Sequence, residues 1–169
     1  MNNFATQGNY TALWGGLPLG RTEEGFFIEI LHKGELVRFE EFGQSVVDLI
    51  KLGADVFVEG VLKEWCADGL LSALWYHSLD FGHIDCPAGQ FAVQGGCARP
   101  LVLTASSCSP AATKGFQTLT FHQTIFEPEV AARINLNNKI RMVPIRFRVF
   151  LTDLDPSDAG TDYSFFTAT

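Results

Sequence analysis

His77, His83, Asp85 and Cys86 are the residues of this chain best suited, by type and nearness, to hold a metal. Imidazole, carboxylate and thiolate all ligate zinc, but structural zinc sites show tighter, paired spacing. The four cysteines, Cys66, Cys86, Cys97 and Cys108, contain no Cys-x-x-Cys pair. An ordinary polar loop is therefore the better reading of that segment. Paired carboxylates occur at Glu23–Glu24 and Glu40–Glu41. Adjacent acids on a loop are normally solvated, and glycoside hydrolysis needs two carboxyls held apart at a set distance by the fold. The sequence has no Gly-x-Ser-x-Gly, no phosphate-loop pattern, no Gly-x-Gly-x-x-Gly and no His-Glu-x-x-His. The expectation is a protein that is not an enzyme and uses no cofactor and no metal.

Composition narrows the class further. A chain of 169 residues is ordinarily one domain with room for a sizeable core. No apolar run reaches the roughly 18 residues of a membrane span, so no membrane insertion is expected. The first residues lack a charged region followed by an apolar core, so no secretory signal is expected either, and free thiols are the default. Net charge is −7. Affinity for nucleic acid comes mainly from Lys and Arg displacing counterions, so an acidic chain does not grip a phosphate backbone by default. Charged residues are 18% of the chain, and fifteen residues are Phe. Such a chain has few charges with which to cover its surface, which favours burial against other subunits.

The elements that would position these residues read mainly as β. The stretch from Glu41 to Trp65 is the organising one. Ser45–Leu52 and Asp55–Trp65 are two runs rich in β-branched and aromatic residues, separated by Gly53. Period two sends Val56, Val58, Gly60 and Leu62 toward a core and leaves Asp55, Phe57, Glu59, Val61 and Lys63 on a mixed face. The first run, being short, also fits a helix. Residues 1–14 carry no period and read as an extended arm. Thr22–Gly25 reads as a charged turn, Phe26–Leu31 as a strand, and His32–Glu41 as a hairpin loop with a short strand on its far side. Asp68–His77 is the best helix, with Asp68 as its cap and Leu70, Leu71 and Leu74 on one face. Residues 81–100 read as a long loop. Leu101–Ala105, Phe116–Phe126 and Lys139–Thr152 read as strands. In the last of these, Val143, Ile145, Phe147 and Val149 share one parity, and Pro144 argues for a sheet edge or bulge. The chain divides into an N-terminal arm (1–16), a core (17–152) and a C-terminal arm (153–169) within one domain.

Gly20-Arg-Thr-Glu-Glu-Gly25 leading into a strand, then Phe42-Gly43-Gln44, Ser45-Val46-Val47-Asp48, Gly53 and a strand ending in Glu64, resembles the major tail tube proteins of long-tailed bacteriophages. Met142-Val143-Pro144-Ile145 also looks like that family's last core strand. The likeness covers about residues 17–65 and 133–152, and its motifs are glycine and hydrophobic patterns. It implies a β-sandwich or barrel-like fold with one flanking α-helix, assembling into a multi-subunit β-barrel ring. It implies rings, hexameric in the family, stacked into a tube of the virion tail that conducts DNA during ejection. The implied partners are further copies of the chain, other tail proteins (tape measure, terminator, baseplate hub), and DNA passing through the lumen without sequence-specific binding. A neck, terminator or baseplate-hub ring of the same fold is an alternative, and a monomeric ligand-binding β-barrel is another.

On this reading three groups of residues have roles. Glu59, Asp55, Lys63, Asp48 and Glu29 are candidates for the lumen, where acids would repel phosphates and let DNA slide. The same acids have a second reading, as partners of Arg141, Arg146 or Arg148 across a subunit boundary. His32, Lys33, Glu35, Arg38, Glu40 and Glu41 are candidates for ring stacking, since charge around a few apolar residues suits a polar-rimmed contact. Arg141, Arg146, Arg148, Asp153, Asp155, Trp14 and Phe165 are candidates for inter-subunit contacts. The basic strand and the acidic tail behind it would match electrostatically, and the aromatics would tie the terminal arms to a neighbour.

Overall fold

The computed structural model describes residues 4–5, 10–38, 46–74, 96–105, 117–127, 142–153 and 163–168. The fold is mainly β, as expected, with one short helix. Two strands dominate it. β3 (Leu17–Arg38) has 22 residues and β4 (Val46–Trp65) has 20. They pair antiparallel from Gly20↔Trp65 to Arg38↔Val46. Around them run β1 (Phe4–Ala5), β2 (Tyr10–Trp14), β5 (Arg99–Ala105), β6 (Thr118–Phe126) and β7 (Val143–Val149). The order β3-β2-β5-β6-β7-β4 returns to β3, so six antiparallel strands close a barrel within a single chain. A closed barrel has no free sheet edges around its wall.

Alternation fills the interior. Val56, Val58 and Leu62 point inward from β4, and Val143, Ile145, Phe147 and Val149 from β7, as their shared parity predicts. Trp14, Tyr10, Phe26, Phe121 and Phe126 complete the core. Pro144 is exposed and pairs with Val61 on β4, while among the described residues β6 pairs β7 at residues 147–149. Its missing N–H therefore falls on an edge-like part of the strand.

Several expectations are corrected. Residues 10–14 are not an arm. Tyr, Ala and Trp at positions 10, 12 and 14 alternate with exposed residues and form a wall of the barrel, with Trp14 buried in its own subunit. Sequence periodicity was too short there to stand out, since a five-residue strand offers only three inward positions. Thr22–Gly25 is not a turn but an irregularity inside β3, where the register slips and Gly25 takes φ 93°. The segment His32–Arg38 is strand rather than loop. Ser45–Leu52 and Asp55–Trp65 are not two strands, since residues from Val46 on belong to one, with Gly53 (φ 138°) at a slip in its register.

The helix α1 (Ala67–Leu74) lies against the start of β3 and buries Leu70 and Ala73. Its first turn closes on the Cys66 carbonyl, which accepts from the Leu70 N–H at 3.0 Å, so Asp68 sits inside the first turn and not at the cap. Gly69 is required because a Cβ there would run into the Pro18 carbonyl oxygen.

The C-terminal residues also stay home. β8 (Thr152–Asp153) pairs with β9 (Tyr163–Ser164), and β10 (Phe166–Ala168) pairs with β6 along residues 119–121. That is the edge of β6 which β7 leaves uncovered. Phe166 stacks on Phe121 at 5.3 Å, and Phe165 packs on the same core. Aromatics at a chain end are thus explained without a neighbour.

Strand β6 carries a bulge. Leu101 pairs with Phe121 but Arg99 pairs with Thr124, so β6 has one residue more than β5. Pro100 lies opposite and has no N–H to lose. Beyond the bulge the parity flips, which turns Thr124 and Phe126 inward in place of Gln123 and Ile125. The buried Thr124 hydroxyl accepts from Trp14 Nε1 at 3.0 Å and donates to the Arg99 carbonyl at 2.8 Å. Thr124→Val strands both partners and should lower unfolding stability by about 1–3 kcal/mol, read from urea denaturation. Truncation after Thr152 uncovers Phe121 and should cost about 2 kcal/mol by the same measurement.

Candidate interaction surfaces

The outward face of β3, β4 and β7 is built around Phe57. Its parity points it away from the core, yet it is only 5% exposed. Two guanidinium groups cover it. Arg146 Cζ lies 4.3 Å and Arg148 Cζ 4.8 Å from the ring centroid. The register dictates this, because Phe57 pairs with Arg148 and Glu59 with Arg146. Planar cations stacked on an aromatic face gain cation–π attraction while their edges stay free to bind carboxylates.

The carboxylates are in place. Arg146 holds Glu29 at 2.8 Å and Glu59 at 3.2 Å. Arg148 grips Glu127 with two nitrogens, Nε at 2.8 Å and Nη2 at 3.2 Å, and reaches Asp55 at 3.8 Å. Lys33 closes the other side of Asp55 at 2.6 Å. Of the lumen candidates, Glu29, Asp55 and Glu59 are therefore brought together and neutralised inside one subunit. The arginines that these acids meet belong to the same chain and not, as the second reading had it, to a neighbour across a subunit boundary. Lys63 continues the outward row of β4 and is exposed. Asp48 is elsewhere, and its Oδ1 accepts the Leu49 N–H at 2.7 Å.

Glu127 is a site residue that pattern reasoning passed over. Its side chain is 6% exposed, and Arg148 is its partner. The available signal was an acid directly after an apolar strand residue, Phe126, and before Pro128. Phe57 was assigned to a half-exposed face because its parity is visible in sequence and the two arginines above it are not.

A second surface is the ribbon formed by the far ends of β3 and β4. Pairing of β4 with β7 stops at Val56↔Val149, and beyond it β3 and β4 pair with each other. His32, Lys33, Glu35 and Arg38 lie here and are exposed, so four of the stacking candidates share one element. Glu40 and Glu41 are outside the described residues. Leu36, Leu49 and Ile50 are each about half exposed, and Leu52 is 65% exposed. Among the described residues, no strand pairs with the outer edges of this ribbon. An isolated two-stranded hairpin is marginal in water, and unpaired edges invite other strands.

Other candidates fall apart or lie elsewhere. Trp14 is buried in the core of its own subunit, and Phe165 is partly buried against that core. Asp153 is in β8, while Arg141 and Asp155 are outside the described residues. His77, His83, Asp85 and Cys86 are outside them too, and no group of metal-binding side chains occurs among the described residues. Cys66 is a free, exposed thiol, whereas Cys97 is disulfide-bonded, which corrects the expectation of free thiols throughout. No protein-family model and no curated protein matches the chain.

Arg148→Met leaves the Glu127 carboxylate shielded without its partner. The expected loss is on the order of 2–3 kcal/mol, less than for a fully buried pair because Arg148 is itself about a third exposed. Glu59→Gln, at a more exposed pair, should cost less than about 1 kcal/mol. Urea denaturation of the two variants beside the wild type checks the order.

Proposed function

We propose that this protein is a self-assembling structural subunit, forming stacked rings of a phage-type tail tube. The observation that carries the reading is the ribbon. The chain closes its own barrel, so it has no need of β3 beyond residue 30 or of β4 before residue 56 for that closure. Yet it extends both strands beyond the barrel and lines them with exposed Leu, Ile and Val, and among the described residues no strand pairs with their outer edges. Burying such an element against further copies satisfies its backbone groups and removes its apolar side chains from water. The resemblance to tail tube proteins supplies the kind of assembly. In that setting the ribbons, and not the self-contained barrels, would join from subunit to subunit. DNA would pass without being gripped, because the chain is acidic and its Arg146 and Arg148 are already occupied by carboxylates. The role is mechanical, with tape-measure, terminator and hub proteins as the other partners and the virion tail as the location.

A ligand-carrying barrel would need interior space. Here Trp14, Tyr10, Phe26, Phe121 and Phe147 fill it. A neck, terminator or hub ring would use the same ribbon but would stop at one ring.

Negative-stain microscopy of the purified chain at high concentration should show rings or tubes. Replacing residues 33–53 with an Asn-Gly turn joins the cross-strand partners His32 and Ala54 and should leave a folded monomer by circular dichroism. Tubes from that variant, or only monomers from the wild type, would sink the proposal.

A further inference from the structure

The ribbon has two faces of opposite charge. In an antiparallel ladder, residues directly opposite one another share a face. Leu36 pairs with Leu49 and Gly34 with Lys51, and Arg38 continues the same parity. On the other side Glu35 pairs with Ile50 and Val37 with Asp48. One face is therefore leucines with Arg38 and Lys51. The other is Ile50 and Val37 with Glu35 and Asp48, and Lys33 at its base, held by Asp55.

The ribbon's ladder slips twice, at Lys33/Gly34 and at Val37/Arg38, and the first slip produces this sorting. Lys33 pairs with Gly53, but Gly34 pairs with Lys51, so Leu52 is the extra residue. Without the first slip Glu35 would stand opposite Lys51, and in a ladder with neither slip Arg38 would stand opposite Asp48. Each face would then neutralise itself with a cross-strand ion pair. The bulge puts residues 48–51 of β4 on the face opposite to the one an unbroken ladder would give them. It separates Glu35 and Asp48 from Arg38 and Lys51, each pair beside exposed apolar side chains.

Resting on the tube reading, we infer that the ribbon of one copy packs face to face on the ribbon of another, cationic face on anionic face. The occupant is a second copy of this chain, because the chain itself carries both the charge pattern and its complement. Apolar pairs meet at the centre of such a contact and opposite charges at its rim. The contact is heterologous. Two copies joined by it still present one free face each, so it continues into a closed ring or an open stack. A two-fold dimer through either face would bring like charges together, which is repulsive.

Two double variants test the pairing. Arg38→Glu with Lys51→Glu makes both faces acidic, and Glu35→Lys with Asp48→Lys makes both basic. Circular dichroism should show wild-type β content for each, since all four side chains are exposed. Light scattering should show that neither assembles alone, with the threshold concentration raised at least about tenfold. A 1:1 mixture should assemble again near the wild-type threshold. Each variant assembling alone into normal tubes overturns the face-to-face contact and leaves the tube reading standing. Restored assembly in the mixture, but into particles that microscopy shows are not rings or tubes, keeps the contact and removes the tube reading. A mixture that stays unassembled, or a wild type that stays monomeric at the highest attainable concentration, overturns the contact. In the monomeric case the ribbon falls to a different protein partner.

Discussion

The ladder between β3 and β4 is the constraint on which the rest of the molecule depends. Its lower half supplies two adjacent walls of the barrel and places Val58 against Ile28 in the core. Its upper half leaves the barrel and becomes the ribbon. Each strand is too long to belong to the barrel alone, so one ladder of hydrogen bonds joins the barrel to the exposed ribbon. The helix is fixed to the same ladder, through Gly69 against the Pro18 carbonyl at the base of β3. Force on the ribbon would therefore be carried directly into the core strands.

Irregularities in this sheet act as sorting devices. Period two sends alternate residues to opposite faces, and one inserted residue exchanges the faces from that point on. The bulge in β6 turns Thr124 inward, where it receives the indole N–H of Trp14 and binds the Arg99 carbonyl. The bulge in β4 acts at the surface, where it segregates the charges of the ribbon. The same geometric step thus settles a buried hydrogen bond in one place and an electrostatic pattern in another.

The charged outer wall shows why a count of acids says little about a surface. Glu29, Asp55, Glu59 and Glu127 are four acids on neighbouring strands, and Arg146, Arg148 and Lys33 meet them at 2.6–3.8 Å. The arginines stack on Phe57, so an aromatic ring on the outside of a barrel is shielded by charge instead of by a hydrophobic partner. Exposed pairs of this kind add little individually, but a shared platform fixes the side chains and lowers the entropy lost in each contact.

By itself the sequence determined the fold class, the inward rows of β4 and β7, the edge character of Pro144 and the position of a short helix. These are local properties: parity, β-branching, a missing N–H and an apolar face repeat within a few residues of one another. It also marked Gly53 as a break and 32–38 as charged. Tertiary structure alone decided that Tyr10, Ala12 and Trp14 are core, because three alternating positions acquire meaning only when β3 and β5 flank them. It alone decided that Phe165 and Phe166 cover β6 of their own subunit, which depends on β7 leaving that edge free. It assigned Glu29, Asp55 and Glu59 to Arg146, Arg148 and Lys33, since residues 59 and 146 become neighbours only through strand register. A register is a relation between two segments, and neither segment carries it alone.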